Sequence, residues 1–306
     1  MSVPDPATEV QVIDPLAPVS ADRSADRLVE VVRRSAPPDE GCGQVTRTRH
    51  FCLHRRDHRV EITHWLRPEQ LDNDLAGILA EELFAPGWLS GAETFEQVFT
   101  EVVRSMADDP LLAWMAFYDN TLNRIRKCWA RTAVESSPSS IGGFAPVYRR
   151  ALRLVTPGRV LDLGSCFGFL PILLAERGRN TVIASDLAPG SMRLLEAVAG
   201  ARGQRLRTLV CDATRVPLPD RSVDTVTAVH LLEHMDAEQG DAVLAEALRL
   251  ARRRIVVAVP FEDEPTAAYG HVRTFTRADL DELGRATQCR YEVSEHHGGW
   301  LVVHPR

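Results

Sequence analysis

Val160-Leu161-Asp162-Leu163-Gly164-Ser165-Cys166-Phe167-Gly168-Phe169-Leu170 is the stretch that decides the fold. The apolar run around Asp162 reads as a buried strand, Gly164 to Gly168 as a turn, and Leu170–Arg177 as a helix. In open α/β sheets ligands lie at the carboxyl ends of the strands, so this turn should face one. Glycine at 164 and 168 permits tight turning and close approach of backbone to a ligand. The dinucleotide fingerprint G-x-G-x-x-G fails, because Cys166 stands two residues after Gly164. An ordinary βα turn that uses two glycines is the plain alternative.

The strands that follow favour a ligand. The second ends at Ser185-Asp186, with Leu187 next, and an acid there can accept hydrogen bonds from ribose hydroxyls. The third ends in Val210-Cys211-Asp212-Ala213, a further carboxylate at the same edge, suited to an adenine amino group. Any one such aspartate is more often a helix cap. Three at successive strand ends beside a glycine turn are hard to dismiss on that ground. Short β-branched runs cover Arg159–Leu163, Thr181–Ser185, Arg205–Val210, Ser222–Val229 and Arg254–Val259, each followed by a helix-capable segment. That alternation predicts a mostly parallel α/β sheet. Tyr291–His296 and Trp300–His304 read as a C-terminal antiparallel hairpin turning at Gly298-Gly299.

The first half has a different texture. Residues 1–24 are rich in Pro, Asp, Ser and Ala and read as a disordered tail. Alternation from Gly43 to Trp65, broken at Arg55-Arg56-Asp57-His58, predicts a β-hairpin. Helical stripes follow: Leu71, Leu75, Ile78, Leu79 and Leu83, then Phe95, Val98, Phe99, Val102, Val103 and Met106. Asp109-Pro110 opens a third helix, which carries Trp114, Phe117, Tyr118 and Trp129. Ser136-Ser137-Pro138-Ser139-Ser140 reads as a linker. The chain thus divides into a tail (1–24), a mainly helical accessory region with a β-hairpin (25–135), and an α/β domain (141–306).

Composition narrows the function classes. The net charge is −6, and all but one of the 36 basic residues are arginine, Lys127 being the exception. No stretch concentrates positive charge, which argues against a nucleic-acid or anionic-lipid surface. No apolar run approaches the ~20 residues of a membrane helix. The six cysteines lack C-x-x-C or His/Cys ligand spacing, and no basic-then-apolar leader opens the chain. A cytoplasmic protein without disulfides is the expectation.

The stretch from 141 to 306 resembles a class I S-adenosylmethionine-dependent methyltransferase, with its Rossmann-like fold. The residues that carry the resemblance are Asp162-Leu-Gly-Ser-Cys-Phe-Gly168, Ser185-Asp186, Cys211-Asp212-Ala213, Leu218–Asp224, Val229–His234 and Gly270–Thr276. That family's first motif reads D/E-x-G-x-G-x-G, and here Ser165-Cys166 occupies the place of the middle glycine. The resemblance implies S-adenosylmethionine held by Asp162, Gly164, Ser165, Cys166 and Gly168. It also implies that Asp186 and Leu187 hold the ribose side, and Asp212 with Ala213 the adenine. The whole chain is also similar, through Thr46–Leu66 and Leu71–Leu89, to actinobacterial mycofactocin oligosaccharide methyltransferases. That likeness implies a small-molecule or oligosaccharide acceptor, recognised by the accessory region.

Methyl transfer from a sulfonium is an in-line displacement, so the protein supplies positioning and proton removal. An alcohol acceptor needs a general base. His230 directly follows the fourth strand, with Glu233 and His234 one helical turn on, and His271 follows the fifth strand and its loop. His230, His271 and Glu233 are the candidate catalytic residues; packing and capping is the bland reading of each. No metal is expected: Glu262-Asp263-Glu264 reads as a solvated loop, and His50, His54, His58 and His64 are split by a turn. The leading function is O-methylation. N- or C-methylation and a non-catalytic cofactor-binding regulator are the alternatives.

Overall fold

The computed structural model describes residues 14–17, 29–37, 45–56, 59–130, 140–266 and 270–306. Its first half forms a four-stranded sheet from β1 (Val29–Arg33), β2 (Val45–Arg47), β3 (Phe51–Arg56) and β4 (Arg59–His64), in the order β1-β4-β3-β2. Helices α1 (Leu75–Leu79), α2 (Ala92–Arg104) and α3 (Pro110–Ala130) follow. Then comes α4 (Ser140–Leu154). The second half alternates β5 (Gly158–Leu163), α5 (Phe169–Glu176), β6 (Asn180–Asp186), α6 (Pro189–Ala201) and β7 (Leu206–Val210). It continues with β8 (Val223–Val229), α7 (Ala237–Leu250), β9 (Ala251–Val259), α8 (Arg277–Ala286), β10 (Arg290–Glu295) and β11 (Gly299–His304).

The seven strands β5–β11 make one sheet in the order β10-β11-β9-β8-β5-β6-β7. Strands β5 to β9 are parallel, and β11 runs antiparallel to both β9 and β10. This is the expected Rossmann-like sheet with its antiparallel hairpin. The chain winds outward from β5 through β6 to β7, then restarts on the other side of β5 with β8. The border between β5 and β8 is therefore the switch point, where a crevice opens at the strand ends.

Several expectations for the first half change. Residues 14–17 are an ordered turn, not a disordered tail: Trp114 Nε1 donates to the carbonyl of buried Pro15 at 2.8 Å. A buried indole N–H needs such an acceptor. The rest of the tail, the residues Asp57-His58 and most of the serine-rich linker lie outside the described residues. Arg55 and Arg56 belong to β3, paired with Val60 and Arg59, so the hairpin break is shorter than its polar sequence suggested. Ser140 already starts α4, which sequence periodicity did not disclose. The predicted hairpin gains β2 and, through a parallel pairing with β4, β1.

One apolar core joins the two halves. Phe51, Leu71, Val98, Trp114, Phe117 and Tyr118 pack in the same cluster as Phe169, Leu170, Leu195 and Trp300. A second cluster on the opposite face of the sheet holds Leu161, Leu163, Val226, Leu244, Ile255 and Phe275. The accessory region and the α/β sheet therefore bury each other's apolar surface rather than touching at a polar seam.

His64 shows how the first sheet is pinned to α2. Its ring is fully buried, with Nε2 2.7 Å from Ser105 Oγ, and Ser105 Oγ donates to the Val102 carbonyl at 2.7 Å. Nδ1 accepts weakly from the Leu66 N–H. This is the hydrogen-bonding pattern of a neutral imidazole. Burial, helped by the positive charge of Arg33, pushes its pKa down to about 4. An imidazole depressed this way contributes stability above the unfolded value and loses it as pH falls toward 4. Wild type should therefore lose up to about 3 kcal/mol between pH 7 and pH 4 through His64. Chemical denaturation of wild type and His64→Gln across that range tests this. The difference in stability between them should shrink with acid, and a constant difference would refute it.

Candidate functional site

The site grows from one buried carboxyl. Asp162, 3% exposed, accepts from Ser165 Oγ at 2.7 Å and from Thr227 Oγ1 at 2.5 Å. Burial, against those two hydrogen bonds, pushes its pKa up to about 6. The Ser165 amide donates to the Ser185 carbonyl at 2.9 Å, and Ser185 Oγ donates to the Asp162 carbonyl at 2.9 Å. β5, its turn, β6 and β8 are thereby locked at their carboxyl ends.

Within the turn, Gly164 and Gly168 have φ of +67° and +72°. A Cβ at Gly164 would lie 2.6 Å from Leu231, and one at Gly168 would lie 2.4 Å from Leu195. Cys166 adopts φ +49°, also left-handed. This explains why the resembling motif carries glycine there. Its cost is offset by the Cys166 amide, which donates to Asp186 Oδ2 at 2.8 Å. The next residue ties the turn to the first half: Tyr118 Oη donates to the Phe167 carbonyl at 2.6 Å. The Phe167 ring stacks on Phe99 with centroids 5.5 Å apart and also meets Trp114 and Phe117.

The expected ligand residues line one edge. Asp186 accepts from Cys166 at Oδ2 and from the Ala188 amide at Oδ1, which leaves each oxygen a second lone pair for a hydroxyl. Asp212 is exposed, and Thr214 donates to its Oδ1 from both N and Oγ1. Leu187 is 72% and Val210 48% exposed beside these carboxylates, with the partly buried Ala213 following Asp212. Apolar side chains left in water next to carboxylates with lone pairs to spare suit a nucleoside, whose hydroxyls can donate to a carboxylate and whose purine face aliphatic groups can cover. The donor set fits the cofactor that the sequence implies.

The three candidate catalytic residues converge beyond β8. His230 has φ +55° and sets its ring edge-on against Phe144, centroids 5.0 Å apart. His230 Nδ1 lies 3.0 Å from Glu233 Oε1. The alignment is too poor for a hydrogen bond, so among the described residues neither oxygen of the fully buried Glu233 has a hydrogen-bond partner. His271 Nδ1 lies 2.7 Å from Glu262 Oε2. Its ring meets that of His234 edge-on at 4.9 Å. The Glu233 carbonyl accepts from the Val272 amide at 2.8 Å, which draws the His271 loop onto the short helix at 232–234. Sequence reasoning missed Glu262 as a partner of His271 and Phe144 as a wall for His230, since no local pattern links them. Among the described residues the histidines of the first sheet do not gather: His50 pairs with Glu82 at 2.5 Å and His64 points to α2, while His58 lies outside the described residues.

Residues 160–254 match the family described as a methyltransferase domain. The chain is 34% identical over 142 residues to the demethylmenaquinone methyltransferase of Thermus thermophilus, covering 44% of this chain and 64% of that one. It is 34% identical over 101 residues to the ubiquinone/menaquinone biosynthesis C-methyltransferase UbiE of Paraburkholderia phymatum, covering 32% and 41%. The chain thus spans less than two thirds of the length of these curated relatives. Among solved structures it is similar to a SAM-dependent methyltransferase from Aquifex aeolicus, with TM-score 0.45, 18% identity, and 60% and 96% of the chains covered. Among the described residues no helix is long and apolar enough to cross a membrane.

The left-handed Cys166 yields a test. An L-residue in this region is strained by about 1–2 kcal/mol relative to glycine, less the extra flexibility that glycine gives the unfolded chain. Cys166→Gly should leave stability unchanged or raise it by up to about 1 kcal/mol. Cys166→Val, β-branched at positive φ, should lower it by more than that. Thermal unfolding of both variants checks this, and a Val variant as stable as the Gly variant would contradict the strained turn.

Proposed function

We propose that the protein transfers a methyl group from S-adenosylmethionine to a hydroxyl of a small molecule, with an oligosaccharide as acceptor. The observation that carries the hydroxyl reading is the pair of histidine–carboxylate contacts, His230 with Glu233 and His271 with Glu262, at the sheet edge that bears Asp186 and Asp212. S-adenosylmethionine, when bound, supplies a methyl group on a positively charged sulfur. Asp186 takes the ribose hydroxyls, Asp212 and Ala213 flank the adenine, and Gly164 admits the amino-acid end past Leu231. His230 is the base: its Nε2 is buried and has no hydrogen-bond partner among the described residues. Transfer of that methyl group to an acceptor hydroxyl would require the hydroxyl to lose its proton. The hydroxyl proton passes to His230 Nε2. The Phe144 ring lies edge-on against the His230 imidazole, and stacking faces for a sugar ring are ordinary chemistry for such an aromatic wall.

The sequence likeness to mycofactocin oligosaccharide methyltransferases supports a glycan of that kind as acceptor. The quinone C-methyltransferase names of the relatives favour a second reading, carbon methylation of an aromatic ring. Incubation with methyl-labelled cofactor and either an oligosaccharide extract or a demethylated quinol separates the two. Carbon-13 spectra tell an ether methyl from a ring methyl, and label only in the quinol would overturn the hydroxyl reading.

Substitutions at two positions test the assignments. Asp186→Ala should weaken cofactor binding by about 1.5–3 kcal/mol, with Asp186→Asn between it and wild type. Calorimetry with unchanged affinity in a folded Asp186→Ala protein would remove Asp186 from the site. His230→Ala should lower turnover about 10²–10⁴-fold while the cofactor Kd stays near normal. Near-normal turnover would place the base elsewhere.

A further inference from the structure

We propose that Glu233, His234 and His271 form a binding site for one divalent transition-metal ion of the Zn²⁺ class. One ligand atom from each of the three lies within 4.8 Å of the others. The group is no surface acidic cluster: its carboxylate is fully buried, and among the described residues neither of its oxygens has a hydrogen-bond partner. His230 Nδ1 stands 3.0 Å from Oε1 without hydrogen-bond geometry, and a buried carboxylate without donors is strongly disfavoured unless a cation or a proton reaches it.

The two imidazoles are held as metal ligands usually are. His271 Nδ1 faces the Glu262 carboxylate at 2.7 Å, and His234 Nδ1 faces the Gly270 carbonyl at 3.2 Å. Both contacts favour the proton on Nδ1, the tautomer whose lone pair is on Nε2. A carboxylate or carbonyl behind each ligating histidine fixes the ring and raises its basicity. Thr266 Oγ1 in turn donates to Glu262 Oε1 at 2.8 Å, so the supporting carboxylate is itself held. The three ligands need to draw together by about 1 Å to close on an ion with bonds near 2.1 Å, within reach of side-chain rotation. Two imidazoles and one carboxylate suit zinc and its neighbours, whereas magnesium prefers oxygen and water.

Three protein ligands leave a coordination position open, the arrangement of a working rather than a purely structural ion. Glu233 reaches toward His230 on one side and His234 and His271 on the other. A cation there would lie beside the proposed base, where it can bind an acceptor oxygen and ease its deprotonation; this last role rests on the hydroxyl reading above.

The experiment uses tag-free, full-length protein stripped with a chelator, titrated with Zn²⁺ by calorimetry and assayed for bound metal by mass spectrometry. The expected result is one Zn²⁺ per chain, undisturbed by millimolar Mg²⁺. His234→Ala, whose side chain is exposed, and His271→Ala should each weaken binding at least tenfold with an unchanged circular-dichroism spectrum. Absence of saturable binding to wild type would overturn the site. Equal binding by wild type and the folded His234→Ala protein would also overturn it, placing the metal elsewhere, as on the neighbouring surface rings of His296 and His297. Cofactor affinity, measured in the same samples, reports on the methyl-transfer reading separately.

Discussion

The buried carboxyl of Asp162 is the constraint on which the ligand edge depends. Two hydroxyls, from Ser165 and Thr227, satisfy its oxygens, and they come from the turn after β5 and from β8. Losing either would leave a polar atom in an apolar interior, a cost of about 1–3 kcal/mol. The chain therefore has one low-energy way to leave β5, and that path aims the Cys166 amide at Asp186. The contacts of this one carboxyl thus decide where the groups at the carboxyl ends of β5 and β6 stand. Its upward-shifted pKa records the cost of burial at that position.

The first half of the chain braces the same turn from the other side. Phe167 leaves the turn and enters an aromatic cluster of Phe99, Trp114 and Phe117, while Tyr118 holds its carbonyl. Because interiors are close-packed, a shift of α2 or α3 cannot leave the Phe167 backbone in place. A ligand that moves these helices would act on the turn at 164–168 through packing alone. The ordered residues 14–17 join that assembly through Trp114, and Asp14 faces Arg193 of α6 across 3.7 Å. Being exposed, that ion pair adds little stability, whereas the indole hydrogen bond is buried and does the holding.

Local signals in the sequence were sufficient for most of the second half. Strands β5, β6, β8 and β9 announce themselves as β-branched runs beside helical periods, whereas β7 and β8 are joined by turns over 211–222 and not by the helix expected there; Asp186 and Asp212 follow from their position at strand ends. The first half was less legible for a physical reason. The parallel pairing of β1 with β4 joins Val29 to Val60 across thirty residues, and nothing in either segment encodes the partner. The same holds for His271 and Glu262: each looks like a surface residue until the loop folds back. The serine-rich stretch has the composition of a linker, yet Ser140 begins α4, since Ile141, Ala145 and Ala151 find apolar neighbours available only in the folded state. His230, Glu233 and His271 follow from their placement after strands β8 and β9, whereas their mutual contacts arise only when the loop after β9 folds back onto the short helix at 232–234.

Backbone strain gives an independent mark of the same place. Among the described residues five non-glycine residues have positive φ: Cys166, Arg221, Gln288 and His297 are exposed and His230 is half-buried. Two of the five, Cys166 and His230, stand just beyond adjacent strands β5 and β8, on the two sides of the switch point. A surface turn can adopt a left-handed residue with little else at stake. At the ends of two buried strands, each such residue carries about 1 kcal/mol or more and persists only because neighbours over-determine it. For Cys166 the neighbour is Asp186; for His230 it is the amide hydrogen bond to the Ala258 carbonyl at 2.9 Å. One strained residue thus orients a backbone amide toward the carboxylate assigned to the cofactor, and the other turns an imidazole toward the proposed acceptor. The two halves of a transfer reaction would meet across the β5–β8 border, where the sheet reverses its winding.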